Sequence, residues 1–192
     1  SKDQWNCICS SMDWIDVGMT NIGKALDELK NSDGLEACMK FYQYICCIDI
    51  AWSGICQLHR VFINRDTIPF ENDSSAFQRK YFDEDDNRYF EEIRSCFGAH
   101  PVELKTRKKN KKQEVIRKFA SWSCHYGTSN EMSVLLYNNI PDSGFEKVTV
   151  TVDELKNFYE TRCRYIQQII GAIDSIVFDY KKERQNNDYK KI

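Results

Sequence analysis

The strongest constraint on the fold is a pair of long apolar repeats joined by a very short turn. From Trp5 to about Lys30 the residues Trp5, Ile8, Met12, Ile15, Met19, Ile22, Leu26 and Leu29 step by alternating threes and fours, the period of a helix with one apolar seam. Asn31-Ser32-Asp33-Gly34 reads as a turn. A second helix is expected from Leu35 to about Asn64, with Cys38, Tyr42, Ile45, Trp52, Ile55 and Phe62 on a wider apolar face. Two long helices with so short a link must run antiparallel, so the chain begins as a helical hairpin.

A third helix is marked by Tyr89, Ile93 and Phe97 at a spacing of four, with Arg94 beside the stripe. It must end close to Gly98. The glycine is a stop signal, and Pro101 disfavours the helical region for His100. One guanidinium therefore stands in the last turn and one imidazole just past it. Arginine offers forked donors to phosphate oxygens, and histidine both accepts and donates protons near neutral pH. The bland alternative is that Arg94 complements the helix dipole and His100 caps the helix end.

Arg94, five intervening residues and His100, at the end of a helix that follows a helical hairpin, resemble the signature of the HEPN superfamily. Members include ribonuclease toxins, abortive-infection proteins and the nuclease domains of RNA-guided CRISPR effectors. The run Ile-Arg-Ser followed by Gly-Ala-His-Pro is most similar to the small bacterial defence-type branch. The resemblance implies an antiparallel helical bundle and a homodimer in which two copies of Arg94 and His100 share one cleft. It also implies metal-independent RNA cleavage leaving a 2′,3′-cyclic phosphate, with an antitoxin or effector protein as a further partner. Ser95 stands where active members carry Asn, Asp or His, which leaves it a polar helper at most. It also favours the alternative of an inactive module that binds RNA or a protein. The chain also continues past Pro101 into a segment the minimal fold lacks.

Other residues bear on the same chemistry. Asp49 sits among Ile45, Cys46, Ile48 and Trp52, where a carboxylate must find a partner or stay at a wet edge; its functional reading is to orient a catalytic group such as His100. His59-Arg60 is expected at the solvated end of the bundle. Lys105, Arg107, Lys108, Lys109, Lys111 and Lys112 form a basic run that stays solvated as a loop or, hanging near His100, contacts an RNA backbone. His125 is a rival histidine on the polar side of an expected strand.

Between Asp66 and Asp86 the polar composition, with Pro69, predicts a long and mobile connection, with one helical turn near Phe77 to Tyr81. The acidic run Asp83 to Asp86 suits the positive end of the third helix. From Phe119 to Val150 the period changes. Trp122, Cys124 and Tyr126 alternate with polar residues, and Val134 to Tyr137 and Val148 to Thr151 are β-rich, which predicts a two- or three-stranded antiparallel patch. Thr151 and Glu154 are spaced as a capping box, with Val150 and Leu155 as its staple. They open a last helix whose stripe Leu155, Tyr159, Ile166, Ile169, Ile173 and Val177 is expected to cross the hairpin.

The expected fold class is mainly α, a helical bundle with a small β insertion, in one domain over residues 1–192. Residues 1–100 form the helical core with the motif, 101–150 the basic loop and β insertion, and 151–180 the C-terminal core helix. The chain holds 9 cysteines, an odd number lacking Cys-x-x-Cys, most of them in apolar stripes, which points to reduced thiols and a cytosolic setting. Cys7 with Cys9, or Cys124 with His125, lacks the second pair a zinc site needs, so no metal and no cofactor is expected. Residues 1–100 hold ten Lys or Arg against seventeen Asp or Glu, whereas residues 101–192 hold seventeen against twelve. The second half is therefore the side expected to face a polyanion. No apolar run approaches the ~20 residues of a membrane span. Phosphate-binding glycine loops, nucleophile elbows and zinc-protease helices are absent.

Overall fold

A computed structural model of the chain describes residues 2–82, 84–99, 116–122 and 130–189. The protein is mainly helical with one small antiparallel sheet. Helices α1 (Lys2–Lys30) and α2 (Gly34–Phe62) form the expected hairpin. Gly34 opens α2 at φ +51, a left-handed backbone that favours glycine. Helix α3 (Asp86–Arg94) runs into a single π-helical turn (Ser95–Ala99), and strands β1 (Lys118–Trp122), β2 (Glu131–Asn138) and β3 (Phe145–Thr151) lead into α4 (Val152–Arg164) and α5 (Ile166–Tyr189).

The hairpin closes on small side chains. Ser11, Gly18 and Ala25, seven residues apart, are buried. A Cβ on Gly18 would lie 2.7 Å from the Cys47 carbonyl, and one on Gly54 would lie 2.7 Å from Ile15 Cγ1. Backbones this close leave no room between them for a large side chain at either glycine. Ile15 and Leu29 are buried as predicted, but Trp5, Met12 and Met19 are 65%, 58% and 41% exposed. Ile8, Ile22 and Leu26 are partly buried against the core, so most of the seam faces it and Trp5, Met12 and Met19 are its exceptions.

Helix α2 supplies the middle of the core. Phe41, Ile45, Ile48 and Ile55 are fully buried, with Phe90 and Ile93 of α3, Phe97 of the π turn, Val134, Leu136 and Val148 of the sheet, and Phe158 of α4. Phe41 meets Phe97 edge-on at 5.1 Å, and Phe90 stacks on Phe158 at 4.5 Å. The sheet order is β1-β2-β3, with Trp122 opposite Val134 and Val134 opposite Val148. Thr151 and Glu154 form the expected capping box, and Val150 and Leu155 are both buried beside it.

The connection from Asn64 to Asp85 forms no helical turn at Phe77 to Tyr81 and is pinned along its length. The fully buried Asp86 accepts a hydrogen bond from the Ala76 amide at 2.7 Å, and Lys80 Nζ stands 2.7 Å from its other oxygen. Glu154 accepts from the amides of Gln78 and Arg79, and Asn87 donates to the carbonyls of Pro69 and Phe70. The segment is largely exposed, as its polar composition suits, while several of its backbone groups find partners on α3 and α4. Asp85 caps α3, as the acidic run predicted.

Two further expectations are corrected. His59 is buried, not solvated: Nδ1 lies 2.6 Å from the Tyr165 hydroxyl and Nε2 lies 2.9 Å from the Thr67 hydroxyl. The last helix is broken at Tyr165, where the ring turns inward to His59 and meets Phe70 at 5.4 Å. Beyond the break, Ile169 is buried but Val177 is 44% exposed, so the apolar stripe leaves the core before its end.

Burial lowers the His59 pKa from its ordinary 6.5. The unfolded chain then takes up a proton near pH 6.5 that the folded chain refuses, so this residue's stability contribution is complete above that pH and falls below it. Melting temperature is expected to drop from pH 7.5 to 5.5, and the His59→Gln variant to show a shallower drop in differential scanning calorimetry. Parallel curves would remove His59 as the cause.

Candidate active site

Tyr42, Cys46 and Asp49 lie on one face of α2, at a helical spacing of four and then three. Opposite them stands Arg94, in the last turn of α3. Arg94 Nη1 donates to Asp49 Oδ2 at 2.9 Å, with side chains 41% and 24% exposed. Asp49 therefore has the partner that its apolar surroundings require, and that partner is the arginine of the motif. The Arg94 Nε is buried and has no hydrogen-bond acceptor among the described residues. A native donor in that state calls for an explanation, because leaving it unsatisfied costs on the order of 1–3 kcal/mol.

The chain leaves Arg94 in a wider turn than an α-helix allows. The Ser95 amide still closes α3, donating to the Glu91 and Glu92 carbonyls, and the π turn takes over from Ser95 to Ala99. Such turns insert one extra residue and re-aim the chain beyond them, and they occur often at functional sites. Tyr42 fixes this one in place. A Cβ on Gly98 would lie 2.0 Å from Tyr42 Cδ2 and 2.1 Å from Cε2, so the ring occupies the space where any other residue's side chain would begin.

Proton and nucleophile chemistry among the described residues is limited. Hydrogen bonding to Cys46 raises the Tyr42 pKa, with Arg94 acting against it, so the phenol is a protonated donor at neutral pH. Cys96, one residue after Ser95, is pushed up to about 12 by burial and stays a thiol. Ser95 is partly exposed directly after Arg94. The arrangement offers one braced cation with further guanidinium donors to present to an anion.

Of the predicted site residues, Arg94, Ser95 and Asp49 come together here. His100, Lys105, Arg107, Lys108, Lys109, Lys111 and Lys112 lie outside the described residues, as do His125 and Cys124. Sequence reasoning placed Tyr42 in the apolar stripe and missed its role against Gly98; the available signal was Asp49 seven positions further along the same helix. A cleft of about 800 Å3 lies elsewhere and shares no lining residue with this site. No helix among the described residues is long and apolar enough to cross a membrane.

The fold and this site define a mainly helical protein that holds an arginine–carboxylate pair at the end of a short helix. No protein-family model matches the chain, and neither does any curated protein or solved structure.

Proposed function

We propose that the protein is a metal-independent endoribonuclease of HEPN type, acting as a homodimer in defence or in a toxin–antitoxin pair. The observation that carries this reading is the geometry of Arg94: held by Asp49, part-exposed, and followed at once by a π turn running to Ala99, next to His100 in the sequence. In the proposed reaction the Arg94 guanidinium holds the scissile phosphate as charge builds on its oxygens. His100 helps remove the ribose 2′-OH proton or protonates the leaving 5′ oxygen, and the 2′ oxygen displaces it to leave a 2′,3′-cyclic phosphate. Asp49 orients the arginine. The basic run at Lys105 to Lys112 would supply sequence-independent backbone contacts. A homodimer requires an apolar contact, and α1 presents exposed Trp5, Met12 and Met19 for one.

A second reading keeps the fold and drops the chemistry, leaving a module that binds RNA or a protein. It is favoured by Ser95 and by the Asp49–Arg94 pair, which also serves as a plain brace between α2 and α3.

The two separate in one assay. Purified protein is incubated with EDTA against mixed single-stranded RNA and the matching DNA, beside the His100→Ala variant. RNA-only cleavage ending in cyclic phosphate, abolished by the folded variant, is the expected result. Wild type and variant at the same background, with RNA still bound, would favour the binding module.

A further inference from the structure

The cleft of about 800 Å3 lies between β3, the start of α4 and the pinned segment Gln78 to Tyr81. Strand β3 is the last strand of the sheet, and the hydrogen-bond parity of the ladder shows which way its main chain points. The Val152 amide donates to the Asn130 carbonyl at 2.9 Å, which makes that pair hydrogen-bonded. Antiparallel pairs alternate, so Met132 with Val150 and Val134 with Val148 exchange bonds, whereas Ser133 with Thr149 does not. The amide and carbonyl of Thr149 therefore point away from β2. The Thr151 amide, of the same parity, is taken by Glu154 Oε2 at 3.1 Å, which confirms the direction and ends the open edge there.

The facing wall does not complete this edge. The amides of Gln78 and Arg79 turn to Glu154, and that of Tyr81 turns to the Tyr89 hydroxyl. Among the described residues, the strand edge at Thr149 thus faces a wall in which the amides of Gln78, Arg79 and Tyr81 are committed elsewhere. An edge left in this state is a template for an added strand.

We propose that the cleft takes an extended peptide segment of a protein partner, which pairs with β3 as a fourth strand and places a basic side chain at the Thr151 end. The charge of the cleft argues for this occupant. Glu131 lies directly opposite Thr151 in the register, with Asp153 two residues past Thr151, whereas Arg79 stands in the facing wall. Walls of mixed sign do not suit a polyanion, and carboxylates grouped at one end suit a single Lys or Arg. The segment Gln78 to Tyr81 lines the same cleft as Thr149 and Thr151. The main chain would supply affinity, and side chains on alternate positions the selection.

The test uses the full chain, isotope-labelled, with capped heptapeptides of alternating valine and threonine that end in one lysine, in one glutamate, or in the lysine with alternate amides N-methylated. At millimolar peptide the lysine form is expected to slow Thr149 amide exchange about tenfold or more. It should also bind about fivefold more tightly than the glutamate form, and the N-methylated form should do neither. Thr149→Pro removes an N–H that the ladder does not use, so binding should be lost while the amides of Val148 and Val150 stay protected. Should that variant unfold, Glu131→Lys is expected to reverse the preference toward the glutamate peptide. Unchanged Thr149 exchange, equal binding of the N-methylated peptide, or an unreversed preference in Glu131→Lys would overturn the proposal. None of these measurements involves RNA cleavage, so the outcome is separate from that of the nuclease reading.

Discussion

Under the proposed ribonuclease reading, replacing Arg94 with alanine is expected to slow RNA cleavage by about 10²–10³-fold, the usual cost of deleting one group that stabilises developing charge. Asp49→Asn, which keeps the shape and removes the negative charge that braces the guanidinium, is expected to cost about tenfold to a hundredfold. The decisive comparison is the double variant. Because Asp49 acts through Arg94, Asp49→Asn with Arg94→Ala should be no slower than Arg94→Ala alone under single-turnover conditions. Neither single variant should move the urea midpoint much, since a pair with side chains 41% and 24% exposed contributes little to stability. Additive rate losses would show that Asp49 does something other than position the arginine. A pair that alters stability while leaving cleavage untouched would be a brace between helices.

The largest loss of stability is expected at Arg162, a residue to which sequence analysis assigned no role. Its side chain is 1% exposed, yet it carries a charge. Nε and Nη2 donate to Asn87 Oδ1 at 3.2 and 2.9 Å, Nη2 lies 3.9 Å from Asp73, and the guanidinium sits 3.6 Å from the centre of the Phe158 ring. Burial lowers its pKa to about 10, against the pull of Asp73 and Asp86, so it remains protonated at pH 7. Arg162→Ala removes the charge and the packing together, leaves Asn87 Oδ1 without its donor and takes the nearby cation from Asp73. It should cost about 3–5 kcal/mol by urea denaturation, the range for one partner removed from a buried pair. Arg162→Lys should recover only part of this, because a point charge matches neither the fork to Asn87 nor the stack on Phe158. A loss under about 1 kcal/mol would mean that the network rearranges around the gap.

The helices and strands of this protein were largely legible in its sequence, where local chemistry decides them. The turn at Asp33-Gly34, the capping box at Thr151 and the change of period at β1 each rest on a few neighbouring residues. What was not legible depends on separations the chain does not reveal. A polar side chain such as His59 or Arg162 looks like surface until its partners, 106 and 75 residues away, are in place. The seam of α1 was legible except at Trp5, Met12 and Met19. Periodicity weighs large apolar residues, whereas Gly18 and Gly54 decide how near the two helices come. In the candidate site, Arg94 and Asp49 were each singled out alone. Their pairing spans 45 positions, and no local pattern announces it.

Contact between the Tyr42 ring and Gly98 also constrains how the sequence can drift. A side chain at position 98 and a ring at position 42 exclude one another, so position 98 cannot change freely while the ring at 42 is held. Gly98→Ala should be poorly tolerated in this background and regain tolerance once Tyr42 is replaced by alanine. The two positions should therefore covary among descendants of this chain: a residue larger than glycine at 98 requires a lost ring at 42, and the route between the two states passes through the glycine–alanine pair.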